Sequence, residues 1–331
     1  MALLLSEEDV KRLLTMPLAL EAVETSFRRL ASGTAHLHPR HRLQVPKKTY
    51  LHYMAAADGE AGYMGMKVYT SSKTGLRFLV PLFSAESGDL LAMIEADYLG
   101  QMRTGAASGV ATRWMAREDA KTIGIVGTGL QARTQLEAIT RVRKIEQIRA
   151  FSRSAEHREE FSRQMTAALG VPVNPVSSAE EAVRGADIVV AATNASAPVI
   201  VGKWIAPGTH INAIGANFPQ KRELDSDAVM RADVIAVDSV EQSKEEAGDL
   251  IQAFAGDLQR WKTAQELADV VAGKIPGRTD RRQITLFKSN GIATEDIAVA
   301  GKLYELAREK GIGRQVELWK DESRAAEGRG I

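Results

Sequence analysis

Apolar residues recur along this chain in three different rhythms. Near the start, Leu20, Val23, Phe27 and Leu30 fall at helical spacing, which predicts an amphipathic helix. Pro17 suits its first turn and Gly33 its end. Ser6, followed by Glu7, Glu8 and Asp9, predicts a shorter helix before it, capped by the serine and favoured by acidic side chains at its positive end. From about 42 to 95 the pattern turns strand-like. Residues 62–70, 77–84 and 90–95 read as strands, with Ser87-Gly88-Asp89 as a turn before the last. A helix is expected from about 97 to 116. Its stretch Gly105-Ala-Ala-Ser-Gly109 has so little side-chain volume that another backbone or a ligand can come close.

Between 120 and 290 short apolar runs alternate with helical stretches. Strands are expected at 122–126, 147–152, 186–192, 210–215 and 233–238, and again at Ile284-Thr-Leu-Phe-Lys-Ser289. Strands alternating with helices predict an α/β fold with a parallel, doubly wound sheet. Thr294 is placed to cap a last helix over about 295–310, with Glu295 and Asp296 in its first turn. The polar tail after Lys320 is expected to fray.

The run Thr122-Ile-Gly-Ile-Val-Gly-Thr-Gly-Leu-Gln-Ala132 gives this alternation a purpose. A buried strand leads into Gly127-x-Gly129-x-x-Ala132 and then a helix, the local context of a dinucleotide-binding turn. Gly127 allows the tight turn, Gly129 lets backbone approach a pyrophosphate, and the helix N-terminus offers free N–H groups. Thr128, Leu130 and Gln131 would line that turn by their backbone. The carboxyl ends of later strands place Thr193, Asn194, Asp238 and Ser239 on the ligand side of the sheet.

The second strand ends in Ser152-Arg153-Ser154. NAD-binding sheets carry an acidic residue there for the ribose 2′-hydroxyl. Two hydroxyls and a guanidinium suit a 2′-phosphate instead, so NADP(H) is preferred and NAD(H) remains possible.

Composition narrows the remaining choices. The chain has 331 residues, 44% apolar and 26% charged, with 43 basic and 42 acidic side chains. That balance gives a nucleic-acid partner no support. Without cysteine, disulfide and thiolate chemistry are excluded. The opening apolar residues are too few for a leader and run straight into acidic ones, and no apolar run approaches the ~20 residues of a membrane span. A cytoplasmic protein without membrane contact is expected. His36, His38 and His41 share a loop-like segment read as solvated, and no metal site is expected.

Lys67 lies in Tyr63-Met-Gly-Met-Lys-Val-Tyr69, where period two puts Tyr63, Gly65, Lys67 and Tyr69 on one face. A lysine in a dry cleft can bind a carboxylate or pass a proton, and the same spacing suits a strand lysine facing water. Five segments then occur in order: Gly65-Met-Lys67; Gln101-Met-Arg-Thr-Gly-Ala-Ala-Ser108; the glycine turn; Asn212-Ala-Ile-Gly215 with Lys221-Arg-Glu-Leu-Asp225; and Ile284-Thr-Leu-Phe-Lys-Ser-Asn-Gly291, continuing to Asp296. Together, from about residue 5 to 315, the chain resembles the ornithine cyclodeaminase/mu-crystallin family.

The resemblance implies a Rossmann domain over 120–291. It implies a discontinuous α+β domain, 1–119 with 292–331, that binds substrate and forms a homodimer. It implies hydride transfer between a nicotinamide and the α-carbon of a small amino or imino acid. Lys67 matches the family's active-site lysine, and Arg103 its carboxylate-binding arginine. Arg40 corresponds to a second carboxylate arginine, with Arg42 as competitor. Ser289 and Gly291 lie where the C-terminal segment approaches the nicotinamide.

Asn217 stands where true cyclodeaminases carry an aspartate. An amide cannot take a proton near neutral pH, so reduction of an imino acid is expected rather than ring closure with loss of ammonia. The alternatives are an ornithine cyclodeaminase, with Asp225 or another carboxylate serving as base, and a nucleotide-dependent binding protein without turnover.

Overall fold

The computed structural model describes residues 1–46 and 49–318, so the tail after Lys320 lies outside the described residues. Strand β1 (Ala2–Leu5) precedes α1 (Glu7–Leu13) and α2 (Met16–Ser32). Ser6 and Asp9 form a reciprocal capping box at α1. The apolar stripe of α2 buries Leu20, Val23 and Phe27.

An antiparallel meander follows: β2 (Ala35–Val45), β3 (Thr49–Asp58), β4 (Tyr63–Ser72), β5 (Gly75–Ser84) and β6 (Leu90–Glu95). The segment holding His36, His38 and His41 is therefore an edge strand, not a loop. One face of an edge strand needs no apolar cover, so its polar alternation disguised it. Between His38 and His41 the ladder with β3 slips by one residue. This bulge re-aims the strand. Arg42 pairs with His52 and Met54 with Lys67, which puts Arg40, Arg42 and Lys67 on one face.

That inner face buries Met54, Val80, Leu82 and Ile94 completely or nearly so, and helices cover it. The opposite face carries Leu43, Leu51 and Met66, which are exposed, and Tyr53, Val68 and Leu79, which are half-buried.

Helix α3 (Asp97–Met115) links the two halves of the molecule and is buried along most of its length. Its small-residue stretch admits another helix. A Cβ on Gly105 would stand 2.4 Å from the carbonyl oxygen of Thr134, so α3 and its neighbour lie backbone to backbone.

The second half is a parallel α/β array. It comprises β7 (Thr122–Val126), α4 (Leu130–Val142), β8 (Gln147–Phe151), α5 (Ala155–Leu169), β9 (Val173–Pro175), α6 (Ala179–Val183), β10 (Ile188–Ala191), β11 (His210–Ala213) and α7 (Ser226–Met230). It continues with β12 (Val234–Val237), α8 (Val240–Glu246), α9 (Gly248–Phe254), α10 (Leu258–Trp261), β13 (Ala264–Glu266), α11 (Leu267–Val271) and β14 (Thr285–Lys288). The chain then returns to the first sheet with α12 (Ala293–Lys310) and β15 (Arg314–Val316).

The parallel sheet has the order β13-β12-β14-β11-β10-β7-β8-β9. Strand order reverses between β7 and β10, the switch point where ligands bind in doubly wound sheets. The first sheet has the order β15-β1-β6-β5-β4-β3-β2, with β1 parallel to β6 and antiparallel to β15.

Helix α12 lies on β3 and β4. It begins at Ala293 with Ile292 as its cap, so Thr294 is not the cap. The Thr294 hydroxyl is buried inside the first turn without a partner. The early start swings Glu295 and Asp296 into the protein, where both are completely buried.

Candidate active site

Three elements converge where the two sheets meet. Strand β4 supplies Lys67, α3 supplies Arg103, and the first turn of α12 supplies Glu295 and Asp296. One carboxylate oxygen, Asp296 Oδ1, accepts hydrogen bonds from Lys67 Nζ at 3.0 Å and Arg103 Nε at 3.0 Å. Glu295 Oε2 accepts from Arg103 Nη1 at 2.7 Å. Arg103 Nη2 makes no hydrogen bond among the described residues, and Lys67 Nζ makes only the one.

Burial brings the Lys67 ammonium down to about 8, with the Arg103 charge adding to the fall and Asp296 opposing it. Burial likewise pushes Glu295 up to about 8 against the pull of Arg103. Both groups thus titrate close to neutrality, as groups in proton-transfer sites are often tuned to do.

Arg40 and Arg42, placed by the bulge of β2, form a second cluster with helix α8. Glu246 binds Arg40 Nη1 through Oε2 and Arg42 Nη2 through Oε1, each at 2.6 Å. Gln242 Nε2 donates to the same carboxylate at 2.9 Å. Arg40 Nη2 donates to the carbonyls of Asn290 and Gly291 at 2.8 and 3.0 Å. Both Arg40 amino groups are therefore committed.

Arg42 Nη2 also donates to the Asn217 carbonyl at 2.9 Å, and its guanidinium stacks 4.5 Å above the Phe218 ring. The Asn217 side chain itself has no hydrogen-bond partner among the described residues. Asp225, the alternative base, is engaged at a helix end. Its Oδ1 caps α7, accepting from Ala228 N at 2.8 Å and Gly202 N at 3.0 Å.

The two clusters meet at Gly291. Its carbonyl accepts from Arg40, and a Cβ there would stand 2.2 Å from Arg103 Nη1. Asp238, after β12, fixes this corner. Its Oδ2 accepts from Ser289 Oγ, Asn290 N and Gly291 N at 2.9, 2.7 and 2.6 Å. Ser239 caps α8 through Gln242 N. Asp238, Ser239 and Ser289 do come together, with their polar atoms engaged inside the protein.

The glycine turn fits a pyrophosphate. Gly127 has φ 108°, and a Cβ there would lie 2.2 Å from the Ala192 carbonyl oxygen, so only glycine is accommodated. A Cβ at Gly129 would meet nothing within 4 Å, which leaves the turn open to a ligand. Leu130, at the start of α4, is 61% exposed. No acidic residue occupies the first turn of that helix. Thr128 and Gln131 are half-buried around it.

At the next strand end, Thr193 N and Oγ1 both bond Glu223 Oε1, at 2.6 and 2.7 Å, while Asn194 is exposed. Past β8, Ser152 Oγ donates to the Ser154 carbonyl at 3.2 Å, and Ser154 caps α5. Arg153 is exposed there. Arg158 donates to the Ser152 carbonyl at 3.1 Å. No carboxylate occupies the end of this strand.

Sequence reasoning missed Glu246, Gln242 and Glu223 as members of these clusters. Glu223 lies within the quoted run 221–225 and was open to notice. Glu246 carries no local signal, because its partner Arg40 lies 206 residues away.

A dinucleotide-type parallel sheet with buried lysine and arginine at its carboxyl edge defines an NAD(P)-linked α/β protein. The chain belongs to the ornithine cyclodeaminase/mu-crystallin family, whose model matches residues 1–311. It is 40% identical over 263 residues to the Delta(1)-pyrroline-2-carboxylate reductase of Bacillus cereus, covering 77% of this chain and 81% of that protein.

Among solved structures it is similar to Thermococcus litoralis Delta(1)-pyrroline-2-carboxylate reductase in complex with NADH and L-proline. The TM-score is 0.91 at 37% identity, covering 95% of this chain and 100% of that one. An archaeal alanine dehydrogenase dimer with bound NAD superposes with a TM-score of 0.90 at 34% identity, covering 96% and 99%.

Proposed function

We propose that this protein is an NAD(P)-dependent oxidoreductase acting at the α-carbon of imino and amino acids. Its preferred direction would be reduction of a cyclic ketimine such as pyrroline- or piperideine-2-carboxylate, or of an open imine formed from a 2-oxo acid and an amine. The observation that carries this reading is the pair of cations on one Asp296 oxygen, each with donors to spare, at the ligand edge of a dinucleotide-binding sheet. The similar reductases and alanine dehydrogenase support the same class of substrate.

The nicotinamide, when bound, supplies the hydride. Arg103 Nη2 and the remaining Lys67 protons grip the substrate carboxylate by charge-assisted hydrogen bonds. With its ammonium poised near 8, Lys67 also yields a proton to the imine nitrogen, directly or through water. In this reading residues 120–291 hold the cofactor and residues 1–119 with 292–331 hold the substrate.

NADP(H) is the preferred cofactor, with NAD(H) usable. Support comes from Ser152, the exposed Arg153 and the nearby Arg158, with no carboxylate to repel a 2′-phosphate. Gly127, Thr128, Gly129, Leu130 and Gln131 would receive the pyrophosphate. Thr193 and Asn194 would face the cofactor from the next strand end, and Asp238, Ser239 and Ser289 would shape the nicotinamide corner from behind.

A homodimer follows the same reasoning. The outer face of the first sheet, with Leu43, Leu51 and Met66 exposed, suits burial against a second copy, and the similar alanine dehydrogenase is a dimer. Asn217, without a carboxylate, speaks against ornithine cyclodeamination.

The test is oxidation of NADPH and NADH, followed by absorbance, across a panel of cyclic ketimines and of oxo acids with amines. Turnover on one class is expected. Absence of turnover on every member would overturn the reading.

A further inference from the structure

Both hydrogen bonds that Asp296 accepts among the described residues come from other elements, Lys67 on β4 and Arg103 on α3, and none from its own helix. Asp296 is completely buried, and among the described residues it is the one group that hydrogen-bonds both proposed substrate-binding cations. We propose that Asp296 is the positioning residue of this site: it aims Lys67 and Arg103 at a common point and keeps Lys67 an ammonium at neutral pH. This rests on the reading of the site as a reductase centre.

The geometry supports it in three ways. First, the Asp296 carboxylate takes one proton of Lys67 and the Nε–H of Arg103 on the same oxygen, so neither cation can turn without breaking a buried bond. Second, Glu295 takes Arg103 Nη1, which leaves Nη2 as the only amino group of that guanidinium free for an anion. Recognition of a carboxylate is then split between Arg103 Nη2 and Lys67 Nζ. Third, Asp296 Oδ2 is buried without a partner, so the carboxylate can accept a further donor when a substrate or water arrives.

The groups facing Lys67 decide the electrostatics. Arg103 on α3 and Arg40 on β2 disfavour its charge, and Asp296 opposes them. Glu295 is the next residue on α12, Tyr69 shares its strand face, and the Phe78 ring of β5 lies 5.3 Å away. Among the described residues only Asp296 bonds the ammonium directly, so its neutralisation should be felt most.

The experiment measures the titration midpoint of Lys67 by NMR of lysine labelled at the ε-carbon, with Lys67→Arg used to assign the signal. It needs no turnover. Asp296→Asn should lower the midpoint by about 1 to 3 pH units, and Glu295→Gln should move it less. Asp296→Glu keeps the charge on a longer arm, so the midpoint should stay near its wild-type value while kcat falls through misplacement. An unchanged midpoint in Asp296→Asn, or an equal fall in Asp296→Glu, would overturn the proposal.

Where activity is found, the high-pH limb of kcat/KM should move with the NMR midpoint, and a limb that stays in place would also overturn it. Failure of the reductase reading would look different. The wild-type protein would turn over no ketimine, while the Lys67 midpoint still followed Asp296.

Discussion

Arg103 and Arg40 are both buried guanidinium groups beside Gly291, yet the protein treats them differently. Arg103 is held at two of its nitrogens by Asp296 and Glu295, and Nη2 is left over. Arg40 spends Nη1 on Glu246 and Nη2 on two backbone carbonyls. A terminal amino group left unspent can reach an anion, whereas Arg40 has both terminal amino groups engaged and keeps only its buried Nε unpartnered among the described residues, so it serves as a clamp. Here the clamp ties β2 of the first sheet to α8 and to the loop after β14. From this contrast we propose Arg103 and Lys67 as the recognition pair and Arg40 as a brace in the ligand-free protein; the family resemblance makes Arg40 a second carboxylate arginine, and a bound substrate decides between the two roles.

The largest effect that separates the two is on catalysis. Lys67→Ala should lower kcat by about 10²- to 10⁴-fold, the usual weight of a general acid, and it also costs stability because the buried Asp296 is left with one cation. Preserved kcat would remove Lys67 from the chemistry.

Breaking the brace should act on stability with little change in kcat. Arg40→Met leaves Glu246 buried and half-compensated, and such a loss costs about 3–5 kcal/mol of folding free energy. Chemical denaturation would measure it. KM for the imino acid should rise far less than in Arg103→Lys, for which a loss of about 30-fold or more in kcat/KM is expected. A KM effect at Arg40 equal to that at Arg103 would erase the contrast.

A third effect is set by pH. Lys67 must be charged both to grip a carboxylate and to give a proton, and its ammonium stands near 8. In the direction of reduction, kcat/KM should be flat below about 8 and fall towards tenfold per pH unit above it. A rise through that range would mean that the neutral amine is the working form. The smallest effect concerns the cofactor. Ser152→Asp places a negative charge beside the ribose and should weaken NADPH by about tenfold or more relative to NADH, as read by fluorescence titration.

What the sequence disclosed and what it hid follow from distance along the chain. Six strands of the parallel sheet, β7, β8, β10, β11, β12 and β14, were legible because buried strands are near-continuous apolar runs, and Gly127 and Gly129 marked the turn. Alternation grouped Lys67 with Tyr63, Gly65 and Tyr69 on one face and suited water as well as a cleft there, and the family resemblance pointed to the cleft. The edge strand carrying the three histidines was not legible, because exposed edges tolerate polar residues. The three-residue strands β9, β13 and β15 are too short to show a period. Thr294 looked like a cap because its hydroxyl and the acids after it fit the pattern, whereas the helix starts two residues earlier than that cap implies and buries all three. The brace was invisible, since Arg40 and Glu246 are distant in sequence and neither lies in a helical or strand pattern that points to the other.

The contrast between recognition pair and brace is tested most directly by a crystal structure of the complex with NADP⁺ and pyrrole-2-carboxylate, a planar carboxylate that cannot be reduced at a C=N bond. The carboxylate is expected on Arg103 Nη2 and Lys67 Nζ, with the Arg40–Glu246 pair intact. A carboxylate bound to Arg40 with Glu246 displaced would contradict the account.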